Sequence, residues 1–218
     1  MKVPPALLVH KVTTFEARTA ALEVLGATYR DEKRWIDMAE HQFPLSELHC
    51  EQISWFLATE DGQPIGVLRV RYHRLIEEYR KYELELQVPI DVEAFFRQHR
   101  IAEIGRFAIL PPKRTQIRFA LSLIQTATQE TVERGFTHYI TDVFEDEPNS
   151  PYLFHTRVLG FQPVAFHATG ELRTHHRRIT LLLNIRQAYQ RLKTANNRIY
   201  RMLCTNWSDR THALLSSA

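Results

Sequence analysis

Cysteine is scarce: the 218 residues include only Cys50 and Cys204. The two stand far apart, outside any CxxC pair and without a histidine at ligand spacing, so neither a disulfide framework nor a zinc site is expected. Both read as reduced thiols of a cytoplasmic protein. Long apolar runs are missing too. The start, MKVPPALLVHKV, carries a short one that His10 and Lys11 interrupt, too little for a signal peptide or a membrane span. No internal repeat recurs, and the only low-complexity stretch is the small polar tail Ser216-Ser217-Ala218. Neither sign of charge is in excess. Lys plus Arg number 28 against 25 Asp plus Glu, and a net charge of +3 does not point to nucleic acid. The adjacent His175 and His176, inside the charged stretch Arg173 to Arg178, read as solvated loop, and no metal site is expected.

What the chain does have is 44% apolar residues. That is enough for a substantial core, so residues 1–218 are expected to form one domain. Ala6 to Thr13 reads as a strand and Phe15 to Arg34 as a helix, with Ala20, Leu22, Leu25 and Tyr29 at roughly helical spacing. Gln52 to Thr59 and Ile65 to Tyr72 are apolar runs joined by Glu60-Asp61-Gly62-Gln63-Pro64, whose Asp-Gly pair suits a hairpin turn. From about residue 74 to 100 comes a charged helical insertion, Leu75 to Leu86 and Val92 to His99, with a break at Pro89. Ala102 to Leu110 reads as a buried strand, and Pro111-Pro112 ends it before a helix from Arg114 to Arg134. Gly135 stops that helix. Phe136 to Phe144 is then a strand, Ser150 to Leu159 a short helix ending at Gly160, and Phe161 to Ala168 with Ile179 to Leu183 a closing strand pair. A last amphipathic, basic helix spans about residues 185 to 204. The pattern is an α/β fold in which a mixed, mostly antiparallel sheet is flanked by helices.

This order of elements resembles the GNAT acyltransferase fold. Ser54 to Ala58 with Ile65 to Arg69 is similar to that family's central hairpin, and Leu159-Gly160-Phe161 to its late helix end. Glu103-Ile104-Gly105-Arg106-Phe107-Ala108-Ile109 resembles the acidic-x-x-Arg-aromatic strand of acyl-homoserine-lactone synthases and N-acyl amino acid synthases. Tyr29-Arg30 followed by Trp35, and Arg69 after the hairpin glycine, are similar to further positions of that branch. The lactone synthases carry two acidic residues after the Trp to hold S-adenosylmethionine; here those positions are Ser46 and His49, with Glu47 near. Acetyl-CoA enzymes carry an Arg/Gln-x-x-Gly-x-Gly turn around the pyrophosphate, whereas Arg114-Thr115-Gln116-Ile117-Arg118-Phe119 has neither glycine. Ile117 and Phe119 do not permit the same close approach of backbone to phosphate.

The resemblance implies transfer of a medium or long fatty acyl group to the amine of an amino acid. The donor is acyl carrier protein, or acyl-CoA, as co-substrate, with no tightly bound cofactor. The alternatives are a lactone synthase, a short-chain acetyltransferase, and a catalytically silent module that binds an acyl carrier or a partner protein. Acyl transfer needs a deprotonated amine and a polarised thioester carbonyl. Glu103 is the candidate base, and a bulge at Gly105 would bring Glu103 and Arg106 toward one cleft. The amides of Phe107 and Ala108 would then bind the oxyanion. Arg106 and Arg69, with Arg30 as a third candidate, are suited to an acceptor carboxylate, and Trp35 to the wall of an acyl pocket. Lys113, Arg114 and Arg118 at a helix start are suited to the phosphate of phosphopantetheine and, with the last helix, to an acidic carrier protein. That helix also suits a peripheral membrane contact. On the late helix Thr156 stands where many of the family place a Tyr that protonates the thiolate, with Tyr152 one turn earlier.

Overall fold

The structure is a computed structural model and describes residues 6–73 and 75–216. The residues MKVPP of the opening, Arg74 at the start of the expected insertion, and Ser217 and Ala218 of the tail lie outside the described residues. Eight strands form one sheet: β1 (Leu7–Lys11), β2 (Ile53–Glu60), β3 (Gln63–Arg71), β4 (Glu85–Leu86), β5 (Ile101–Ile109), β6 (His138–Phe144), β7 (Gln162–His167) and β8 (Arg178–Asn184). Their order is β1-β2-β3-β5-β6-β8-β7-β4. Every neighbouring pair is antiparallel except β5 and β6 at the centre.

The hairpin turn is tighter than the sequence suggests. The strands run on until Glu60 faces Gln63, leaving a two-residue turn in which Asp61 (φ 50°) and Gly62 (φ 79°) both take left-handed backbone. This is the mirror-image turn whose twist matches a hairpin, and Asp-Gly is the pair that tolerates it. Strand alternation then sorts the side chains. Phe56 and Leu68 enter the core under α4 (Ile117–Glu133), together with Phe119, Leu121 and Leu123. Trp55, Leu57 and Val67 enter the opposite core under α1 (Phe15–Leu25), together with Ala21, Val24 and Phe43. Buried on both faces, the central strands read as apolar runs without clean alternation.

Three expected helices end differently. The α1 helix stops at Leu25 and the chain continues to Glu32 as a wider turn, in which the Lys33 amide reaches the Thr28 carbonyl. The expected helix over Leu75 to Leu86 is α2 (Ile76–Tyr79) and one further turn; Glu83 then goes left-handed (φ 50°), and β4 joins the edge of the sheet against β7. The rest of the insertion is α3 (Val92–Gln98), capped by the Asp91 side chain on the Ala94 amide. The last helix breaks at Asn196 (φ 42°) into α5 (Ile185–Ala195) and α6 (Arg198–Cys204), the Asn197 side chain capping α6, and α7 (Asp209–Ser216) follows. Asparagine accepts left-handed backbone and caps the next helix, which is how one amphipathic run becomes two helices.

Candidate active site

In β5, Val67 of β3 faces Ala108 while Arg69 faces Gly105, so β5 holds one residue more than its partner between those positions. The extra residue is a bulge, centred on Arg106 (φ 47°) rather than on Gly105. Its effect on side-chain direction is visible in the packing: Ile104 and Ala108, four apart, would share a face in an unbroken strand, yet Ile104 packs under α4 and Ala108 under α1. The same inversion brings Arg106 to the side of the sheet that Glu103 already occupies. On its other edge β5 pairs with β6 only from Ile101 to Glu103. Beyond Glu103 the two strands part, and a cavity of about 710 Å³ opens between them, within the ~300–1,000 Å³ of ligand sites. Phe107, Ile109, Ile117, Phe154 and Val158 make much of its wall apolar.

The charged part of the cavity is organised around Glu103. Arg69 Nη2 donates to its Oε1 (3.1 Å) and Arg71 Nη1 to its Oε2 (3.0 Å), so both carboxylate oxygens carry a guanidinium. Arg69 is 5% exposed and does not line the cavity; it stands behind Glu103, where burial lowers its pKa and Arg106 adds to that effect. Arg71, two residues along the same strand face, does line the cavity. Arg106 also lines it, donating Nε to Gln42 Oε1 (2.7 Å) and pairing with Glu171. Burial raises the pKa of Glu171, but Arg106, Arg69 and Arg71 outweigh it and hold the carboxyl below its ordinary value. Tyr79 and Tyr82 close this end, burial raising the first phenol and pushing the second up to about 12.

Trp35 lines the cavity between Tyr29 (ring centroids 5.4 Å) and Phe144 (4.5 Å). Phe107 and Ala108 line it too, and Arg106 and Phe107 have no register partner in β3, which takes them out of the strand ladder. Arg30 is exposed, bonded to its neighbour Asp31, and outside the cavity, because the wide turn after α1 points it to solvent. Of the three basic residues at the α4 start, Lys113 and Arg118 both pair with the buried Glu60 of β2 and stand outside the cavity. Arg114 lines it but is held by Glu32 and by the Ile109 carbonyl. Phe119 is fully buried, while Ile117 faces the cavity. The amides of Lys113, Arg114, Gln116 and Phe119 donate to nearby carbonyls, which removes them as phosphate donors. Thr156 donates to the Tyr152 carbonyl (2.8 Å), and neither lines the cavity.

Besides Arg71, sequence reasoning missed three residues here. Arg157, on the wide turn Phe154–Leu159, lines the cavity with no hydrogen bond or ion pair among the described residues. Asp142, the one acidic residue of β6, was legible as a charge inside an apolar strand. Glu171 arrives from the β7–β8 loop and left no signal in the pattern. His155, buried at the cavity wall, is pushed down to about 4 by burial and is neutral near neutral pH.

No protein-family model and no curated protein sequence matches the chain. Solved structures do. FeeM, an N-acyl amino acid synthase from uncultured soil microbes, superposes with a TM-score of 0.64 at 15% identity, over 85% of this chain and 94% of that one. The PaiA N-acetyltransferase of Thermoplasma acidophilum, in complex with coenzyme A, gives 0.56 at 12% over 82% and 99%. An aminoglycoside 6'-acetyltransferase of type Ii gives 0.58 at 12% over 83% and 97%. On these likenesses the chain has the GNAT fold, as the strand Glu103 to Ile109 and the helix end Leu159-Gly160-Phe161 led one to expect.

Proposed function

We propose that the chain is an N-acyltransferase that moves a medium or long fatty acyl group from acyl carrier protein, or from acyl-CoA, to the amine of an amino acid. The observation that carries this reading is the parting of β5 from β6 beyond Glu103, with the bulge at Arg106 on one lip. A thioester threaded through the gap would lie with its acyl chain against Phe107, Ile117 and Phe154 and its carbonyl near the out-of-ladder backbone of Phe107. Arg106 and Arg71 favour an acceptor that brings a carboxylate. Glu103, bonded by two guanidiniums, anchors them and attracts an acceptor ammonium. The missing glycines of the 114–119 segment disfavour a wrapped pyrophosphate and so favour a donor with a single phosphate, which Arg157 is free to meet.

The test is a mass-spectrometric comparison of lipid extracts from a bacterium with and without the protein, joined to turnover of purified acyl carrier protein thioesters with amino acids. A new N-acyl amino acid is the expected result. An unchanged profile with no turnover of either donor overturns the reading.

A further inference from the structure

Asp142 and His167 form a pair that the mechanism above does not use. The register Glu103 to Ile140 places Asp142 level with Gly105, across the gap from the bulge, and its side chain lines the cavity. Asp142 Oδ1 accepts the Thr180 hydroxyl (2.8 Å), and Tyr79 Oη stands 3.5 Å from Oδ2. Behind it the His167 side chain is fully buried, its ring stacked on Tyr82 (centroids 5.0 Å, planes 7° apart).

The two ring nitrogens of His167 face two oxygens. Nδ1 lies 2.7 Å from the Thr169 carbonyl oxygen, and Nε2 lies 3.2 Å from Asp142 Oδ1, out of line for a hydrogen bond. A neutral imidazole has one N–H and one lone pair, so with two acceptors one lone pair must face an oxygen. Asp142 thus sits between the buried ring of His167 and the cavity. The charged and titratable groups around it are Arg178 on β8, opposite His167 in register, Tyr79 and Tyr82 of the insertion, and Glu103 of β5. Each oxygen of Glu103 already receives a guanidinium.

We propose that Asp142 is the general base of the acyl transfer and that His167 is the residue that positions its carboxylate at the gap. The assignment rests on the acyltransferase reading. In the step, the amine nitrogen attacks the thioester carbonyl carbon, the N–C bond forms and the C–S bond breaks. The acceptor ammonium first gives one proton to solvent to become that amine; the proton leaving nitrogen on attack goes to Asp142 and is then passed to the departing thiolate, so ammonium and thioester give amide, thiol and one released proton.

The test compares wild type, Asp142→Asn and His167→Gln in acyl transfer from acyl carrier protein to an amino acid. Asp142→Asn should lower kcat by about 100-fold or more while leaving the KM for the carrier unchanged. His167→Gln should lower kcat by about tenfold with the KM for the carrier again unchanged, the split expected of a residue that positions the base. An Asp142→Asn enzyme keeping more than about a tenth of kcat, or a His167→Gln enzyme with the kcat and KM of wild type, overturns the assignment. A wild type silent with every donor would instead overturn the acyltransferase reading, and the base role with it.

Discussion

Glu103 joins two buried guanidiniums, and its loss would leave Arg69 and Arg71 to share a low-dielectric site without their common counter-ion. Glu103→Gln should therefore abolish activity and also lower stability by about 3 kcal/mol in urea unfolding, the cost of breaking a buried pair from one side. Arg106 separates the two effects. Its left-handed backbone (φ 47°) is strained for a side chain but not for glycine. Arg106→Gly should leave unfolding free energy within about 1 kcal/mol of wild type, Arg106→Ala should cost more, and both should lose the acceptor. The histidines give a pH dependence. His155 and His138 are pushed down to about 4, His155 by burial and His138 by burial and then by His99. A folded pKa below the unfolded value of about 6.5 means that the unfolded chain binds more protons, so the stabilising contribution is complete above about pH 6.5 and is lost as pH falls toward 4. The unfolding free energy should drop in that window by up to about 1.4 kcal/mol per pH unit for each histidine, measured by urea titration at several pH values.

At the scale of elements, turn chemistry sets where strands and helices stop. Gly62 sits at φ 79° with open space around its Cβ position, so Gly62→Ala should cost about 1 kcal/mol through backbone strain and leave turnover unchanged. That turn was legible in Asp61-Gly62, as was the left-handed helix end at Gly160 (φ 94°), because glycine is the residue those conformations select. The bulge was legible only in part. A glycine after Glu103 marked the place, but the left-handed residue is Arg106, held there by Gln42 and Glu171 from two distant loops. The breaks at Glu83 and Asn196 were missed for the same kind of reason: helical spacing persists across them, and packing decides where the chain turns.

For the molecule as a whole, the C-terminal helices cover the α4 core. Trp207, 8% exposed, donates its indole N–H to the Gln125 carbonyl (2.9 Å) and packs beside Leu203 and Leu215 in the same cluster. Trp207→Ala should cost about 3–5 kcal/mol while the cavity residues stay in place, so melting should fall and the KM for the acceptor should hold below the transition. Charge is also distributed at this scale. Glu60 takes up Lys113 and Arg118 and Glu32 takes up Arg114, while Arg157 stands at the cavity with no side-chain hydrogen bond or ion pair among the described residues. Arg157→Ala should raise the KM for the phosphopantetheine donor roughly tenfold, about 1.4 kcal/mol, with little change in kcat. Among the described residues no helix is long and apolar enough to cross a membrane.

Local chemistry was enough to read the order of elements, the hairpin, the buried central strand and the place of Glu103 and Arg106 on it, since each depends on neighbours in the chain. Which arginine faces the cavity, which cations stay unpaired, and the meeting of Asp142 with His167 depend on residues far apart in sequence. Ion pairs and hydrogen bonds act over a few ångströms of space, and only the closed sheet, with its loops folded back over it, brings those atoms within that distance.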